Sequence, residues 1–247
     1  FSTYLVTAAP MLVLAWHLRL YGARTSWVIA LLVTLGLCAG LFTEQRSFWF
    51  ALGLQVAALL GLLRAAQLWR PSPALFWGGL AAVLLFSVWL LLEAIARRYG
   101  PGSDLVLLFS QDTRAKNWGQ VIAWIAERPL GYGFGRGMIA KAFPEMWGRL
   151  DWFWHAHNVI LNYGFQLGVA GILAVLGVFG GLFALWLRLV RVGDAALRAV
   201  GIAGALLVLG VFARNMTNDF FQRDQALLFW ALTGALAGYA QSLRGRA

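Results

Sequence analysis

Two of the three histidines in the chain, His155 and His157, occur together and are followed by Asn158. Histidine is the side chain best suited to proton transfer near neutral pH, and it is costly to bury at a membrane without a partner. If a helix begins near Asn158, its N-terminal dipole favours the neutral imidazole and keeps His157 available as a general base. The alternative is that both histidines are interfacial residues beside neighbouring tryptophans. A zinc site is weakly supported, because two histidines at i and i+2 come without an evident third ligand, and we expect no metal site.

Arginines form the second group of candidates, in the long loop or next to apolar segments: Arg46, Arg114, Arg214 and Arg223. The arginine fork of donors matches phosphate oxygens, so several converging arginines would hold a diphosphate. Alternatively, each is a solvated charge at a helix end or an interface side chain. Asp219 could orient a histidine or pair with an arginine, and a local ion pair with Arg223 at i+4 is equally consistent.

The composition places these residues in a membrane protein. Hydrophobic residues make up 61% of the chain and charged residues 12%, whereas a soluble domain has about a quarter charged residues. A single core cannot hide this much apolar surface from water, so lipid must cover much of it. The one cysteine, Cys38, lies in an apolar run and excludes a disulfide framework.

Seven apolar segments are long enough to span a bilayer, at residues 3–18, 27–42, 47–63, 74–94, 159–187, 196–212 and 225–241. The runs lack the alternation of barrel strands, so we predict an all-α polytopic fold in one membrane domain over residues 1–247. The fifth segment is too long for one span, and we expect a short helix followed by a membrane helix. The chain begins at Phe1 without a methionine, so we expect it to be a C-terminal portion of a longer protein.

The loops between the segments predict the orientation. Nine arginines and only one acid, Asp194, lie in one alternating set of loops, at residues 19–24, 64–70, 188–198 and 244–246. The positive-inside rule places these loops in the cytoplasm, so much of the net charge of +10 reflects topology, and we expect no nucleic-acid partner. The other loops, including a large one at residues 95–158, then face the outside.

The large loop has a helical pattern of its own, an apolar stripe at i, i+3, i+4 and i+7 made of Trp118, Val121, Ile122 and Ile125. Asp112 or Thr113 would cap its start, and Pro129 would end it. The glycine run at residues 131–137 superficially suggests a nucleotide loop. It follows a helix instead of a strand and lacks the Gly-Lys-Ser/Thr ending, which excludes that interpretation, whereas a loop that closes over substrate stays open.

A more specific pattern begins at His157. His157-Asn158, nine residues, Gly168, two residues and Gly171 match the H-[NSQ]-x9-G-x-x-[GTY] signature of O-antigen ligases. The stretches at 112–114 and 129–133, with Trp118 between them, also resemble the O-antigen ligase and polymerase superfamily. So does the stretch at 43–46, where the family more often has a small residue before the arginine. By spacing alone, Gly164, Gly168 and Gly171 would be interpreted as small residues for close helix packing.

The resemblance implies an inverting, metal-independent glycosyltransferase without a cofactor, in a roughly twelve-span, GT-C-like fold of the bacterial inner membrane. Its donor would be a glycan on undecaprenyl diphosphate, and its acceptor a sugar hydroxyl of lipid A–core in lipopolysaccharide biosynthesis. His157 would be the base in the periplasmic loop 95–158. The substrate-binding residues would be Arg46, Arg114, Arg214, Asp219, His155 and Asn158.

Two sibling activities and one different class stay open. An O-antigen polymerase uses the same donor with a glycan acceptor, and a protein O-glycan ligase uses a Ser or Thr side chain. A transporter of lipid-linked glycans would also need arginines near a cavity, but transporters usually place ionisable groups in the middle of their spans. The sequence leaves the oligomeric state open.

Overall fold

The computed structural model describes residues 2–17, 46–68, 72–99, 113–146, 153, 155–217 and 223–245. In these ranges the chain forms the following helices: α1 (Ser2–His17), α2 (Arg46–Ala65), α3 (Pro73–Tyr99), α4 (Thr113–Glu127), α5 (Met138–Ala142), α6 (Val159–Val190), α7 (Ala195–Asn215) and α8 (Arg223–Arg244). A short 3₁₀ turn, Pro144–Met146, follows α5. No strand occurs in the described ranges.

Six of the seven predicted apolar segments coincide with helices, namely α1, α2, α3, α6, α7 and α8. The remaining segment, 27–42, lies outside the described residues, as do Asp112 and Asp219. Four helices are long and apolar enough to cross a membrane, α2, α6, α7 and α8, and α3 has a shorter apolar part, Pro73–Trp89. The total of seven spans stays a prediction.

The apolar surface of α3 shows why lipid is needed. Leu85 is 70% exposed, and Phe86 and Trp89 are 54% and 55% exposed. Exposed apolar side chains clustered in this way mark a membrane or partner contact, because a soluble protein rarely leaves a large contiguous apolar patch in water. Together with the spanning helices, these faces establish an all-α polytopic membrane protein.

The chain divides into two compact units. The first contains Phe1–Ala94, Leu182–Arg214 and Arg223–Ala247, and the second contains Ile95–Gly181 and Asn215–Gln222. The predicted loop 95–158 therefore belongs to the second unit, which also takes in the first part of α6.

In the first unit, α7 is the central helix. In the structure, 72% of its apolar stretch is buried, against 22% for the corresponding stretches of α2 and α8. The Gln55 amide of α2 donates to the carbonyls of Val6 in α1 and Leu206 in α7, at 3.0 and 2.8 Å. A buried amide that makes two such bonds fixes the three helices in one register, since an unpaired polar group would be costly there.

The second unit has an apolar core of its own, built from α4, α5, the segment around the two histidines and the start of α6. Its buried members are Val121, Trp124, Ile125, Ile139, Phe153, Ala156 and Phe165. Tyr132 stacks on Phe165 with ring centroids 4.5 Å apart and an angle of 3° between the planes. This core supports the segment that contains the two histidines.

Candidate functional site

Asn158 begins α6 and holds two parts of the second unit together. Its side-chain oxygen accepts hydrogen bonds from the backbone N–H groups of Ile160 and Leu161, at 2.9 and 3.1 Å, which is the usual contact of an N-cap residue. Its amide nitrogen donates to the carbonyl of Met216 at 3.1 Å. Both ends of this side chain therefore have structural partners, and its predicted contact with substrate stays a prediction.

Helix α4 also contacts the segment that contains the two histidines. It runs from Thr113 to Glu127 and ends just before Pro129, as predicted. The indole nitrogen of Trp118 donates to the carbonyl of Ala156 at 2.7 Å, and Ala156 is fully buried. The carbonyl between the two histidines is thus fixed by a side chain 38 residues away.

The predicted apolar stripe of α4 packs only in part into this core. Ile122 is 55% exposed, whereas Val121 and Ile125 are buried. Trp124, which the sequence pattern did not include, is 6% exposed and stacks on Phe143 with centroids 4.2 Å apart. The buried face of α4 is rotated toward Trp124 because its large ring fills the centre of this core.

His157 lies directly before Asn158 and has a left-handed backbone, with φ 52°. Its backbone N–H donates to Nδ1 of His155 at 3.2 Å, and the two rings meet edge to face with centroids 4.1 Å apart. Burial lowers the pKa of His155 below its ordinary value of 6.5, because the interior disfavours the charged imidazolium. The two histidines form a compact pair at the N-terminal end of α6.

Helix α6 is broken at Gly168, which has φ 65° and ψ −149°. The prediction of a short helix followed by a membrane helix is confirmed. The backbone of residues 129–131 lies so close to Gly168 that a Cβ on Gly168 would overlap the Pro129 carbonyl. Gly168 is therefore not a helix-packing glycine, contrary to the interpretation from its spacing, whereas a Cβ on Gly164 would press on the Ile125 side chain of α4 as that interpretation requires.

The backbone groups released at this break bind the segment 129–133. Tyr132 N–H donates to the Phe165 carbonyl at 2.9 Å, and Gly133 N–H donates to the Gln166 carbonyl at 3.0 Å. In return, Val169 N–H donates to the Pro129 carbonyl at 2.9 Å. Because buried backbone groups need hydrogen-bond partners, these bonds allow α6 to be broken in an apolar environment. The two sequence motifs, at 129–133 and 157–171, are one structural unit.

The rest of the glycine run is also shaped by α6. Gly133, Gly135 and Gly137 have positive φ values of 115°, 148° and 67°, which side chains rarely adopt. Gly135 N–H donates to the side-chain oxygen of Gln166 at 2.9 Å. The glycines thus allow the loop to follow α6 closely, which gives them a structural role in addition to any movement over substrate.

The predicted arginines are distributed over both units. Arg46 is the first residue of α2 and Arg214 lies near the end of α7, both in the first unit, whereas Arg114 lies in the first turn of α4 in the second unit. Arg214 is 0% exposed, which excludes the alternative of a solvated helix-end charge for this residue. Its positive charge at a helix C-terminus is favoured by the helix dipole. Convergence of the arginines on one diphosphate stays a prediction.

Sequence reasoning missed the structural partners of the histidine segment. Trp118 was predicted only as a member of the apolar stripe of α4 and of the family pattern, and its indole N–H gave no signal for a bond to residue 156. Met216 takes part through its carbonyl, which every residue type has, so no sequence pattern could have identified it. Gln166 falls within the nine unspecified positions between Asn158 and Gly168.

Comparison with known proteins adds one match. A family model described as O-antigen ligase matches residues 29–176, which is more than half of the chain. The matched range includes α4, the glycine run, both histidines and the break in α6. No curated protein matches significantly.

Proposed function

Because this chain belongs to the O-antigen ligase family, we propose that it transfers a glycan from undecaprenyl diphosphate to a sugar hydroxyl of lipid A–core. The reaction would take place at the periplasmic face of the bacterial inner membrane. It would proceed with inversion at the anomeric carbon and without a metal ion.

The observation that carries this proposal is the position of His157. It lies at the N-terminal end of α6, next to the capping residue Asn158, in a left-handed conformation. Unusual backbone conformations concentrate at functional sites, where the surrounding structure holds them in place. The positive end of the helix dipole disfavours a charged imidazole there, so the resting side chain stays neutral and is available to accept a proton.

In the proposed reaction, His157 takes the proton of the acceptor hydroxyl as its oxygen forms a bond to the anomeric carbon. The bond from that carbon to the diphosphate oxygen breaks, and undecaprenyl diphosphate leaves with the bonding electron pair. Arg46, Arg114 and Arg214 would bind the diphosphate and stabilise the charge that it gains. The proton then passes from His157 to solvent.

Transfer by the purified full-length protein tests the proposal. The donor is undecaprenyl-diphosphate-linked glycan and the acceptor is lipid A–core, with a chelator present and no nucleotide. A shift of the lipid A band on a gel reports the product. We expect transfer by the wild type and a loss of about 10²–10⁴-fold in His157→Ala, the usual contribution of a general base.

His17→Ala is the matched control. His17 is the third histidine and ends α1 in the first unit, on the side predicted to be cytoplasmic. Equal rates in His157→Ala and His17→Ala would contradict the assignment of the base. Elongation of the lipid-linked glycan without a lipid A product would instead identify a polymerase, and loss of transfer in chelator would contradict metal independence.

A further inference from the structure

The histidine segment contains a hydrogen bond whose direction is fixed by its chemistry. The backbone N–H of His157 can only donate, so the Nδ1 atom of His155, 3.2 Å away, must be the unprotonated acceptor. The proton of the neutral His155 ring is therefore on Nε2. This assigns separate tasks to the two nitrogens of one side chain.

The bond acts on a residue with an unfavourable backbone conformation. A left-handed backbone conformation is unfavourable in free energy for any residue that has a side chain. It persists only where neighbouring contacts determine it. On one side of His157, Asn158 is fixed by the cap of α6 and by Met216. On the other side, Ala156 is buried and bound by Trp118. His155 makes the bond to His157 itself.

We propose that His155 is a positioning residue, whose Nδ1 atom holds the backbone of His157 in the left-handed conformation and so sets the direction of the His157 imidazole. This role replaces the substrate contact that the family resemblance implied for His155. The edge-to-face contact of the two rings, with centroids 4.1 Å apart, supports the same geometry from the side-chain end. The inference rests on the proposed function only in taking His157 as the base.

Two substitutions separate the nitrogens of His155. In His155→Asn, the amide oxygen occupies the position of Nδ1 and can accept the same backbone N–H, while nothing replaces Nε2. In His155→Gln, the amide lies near the position of Nε2 and the acceptor at Nδ1 is lost. His155→Ala removes both. Rates are expressed per folded protein, recovered as a single species by gel filtration.

A positioning role predicts that His155→Asn transfers glycan faster than His155→Gln and His155→Ala. The difference should be between about tenfold and a hundredfold, because a small misplacement of a catalytic group has effects of this size. Faster transfer by His155→Gln than by His155→Asn would overturn the inference and indicate a substrate contact through Nε2. Equal rates in all three variants would overturn it as well.

Hydrogen exchange of the His157 backbone amide gives a readout that does not depend on activity. Mass spectrometry of peptides that cover residues 155–161 should show slow exchange of this amide in the wild type and His155→Asn, and fast exchange in His155→Gln. Slow exchange in all variants would overturn the inference even if the rates differ. Failure of the proposed function would appear separately, as unchanged transfer by His157→Ala.

Discussion

The break in α6 gives the sharpest test of how this chain is built. Gly168 has φ 65° and ψ −149°, a region of backbone space that is essentially restricted to glycine, and other residues there cost about 1–3 kcal/mol. In Gly168→Ala, the added Cβ would also overlap the Pro129 carbonyl. The backbone of segment 129–133 would have to move away, because a carbonyl cannot yield as the end of a flexible side chain can.

That movement disturbs three hydrogen bonds between the segment 129–133 and α6, with lengths from 2.9 to 3.0 Å. Each is worth about 0.5–1.5 kcal/mol net. A straightened α6 would recover part of this by forming intrahelical bonds, so we expect Gly168→Ala to lower the free energy of unfolding by about 3 kcal/mol or more.

Gly177→Ala is the matched control, since it makes the same change in the same helix. A Cβ at Gly177 would meet no atom within 4 Å, and its backbone is helical. Alanine is the better helix former by about 0.8–1.0 kcal/mol, so this variant should be as stable as the wild type or slightly more stable.

The assay is thermal unfolding of both variants in the same detergent, followed by the fraction that stays monodisperse, together with limited proteolysis. Gly168→Ala should unfold well below Gly177→Ala, and its glycine run at 131–137 should be cut first. If the two variants unfold at the same temperature and the run stays resistant, the hydrogen bonds between 129–133 and α6 are not what stabilises this region.

Two further predictions concern charged groups. Arg214→Lys keeps the buried charge but loses the planar fork of donors, so the rate of transfer should fall about 10²–10³-fold, as on removal of one transition-state donor. The control is Arg191→Lys, at an exposed position. Equal rates in both variants would contradict a role of Arg214 in diphosphate binding. Burial lowers the pKa of His155 below 6.5, so the unfolded chain takes up a proton at a higher pH than the folded one. The stability from this group is therefore present above pH 6.5 and is lost as the pH falls toward the lowered pKa. The unfolding midpoint of the wild type should fall more steeply in this range than that of His155→Asn, and parallel curves would exclude the effect.

The sequence by itself determined the class of the protein and most of its helices. Apolar runs need lipid whatever their tertiary context, so six segments were placed within a few residues of the observed helices. Pro129 ended α4 for a local reason, since the residue before a proline is pushed out of the helical region. The excessive length of the fifth segment also predicted the break in α6, and the spacing from His157 to Gly171 pointed to the family.

Only the tertiary structure decided which distant groups meet. Tyr132 bonds to Phe165, Trp118 to Ala156 and Asn158 to Met216, and in each case the acceptor is a backbone carbonyl, a group that every residue type has. Periodicity and spacing describe neighbours along the chain, whereas these bonds are selected by which groups a folded core leaves within reach. For the same reason, the spacing of Gly168 suggested helix packing, and its backbone angles showed a break.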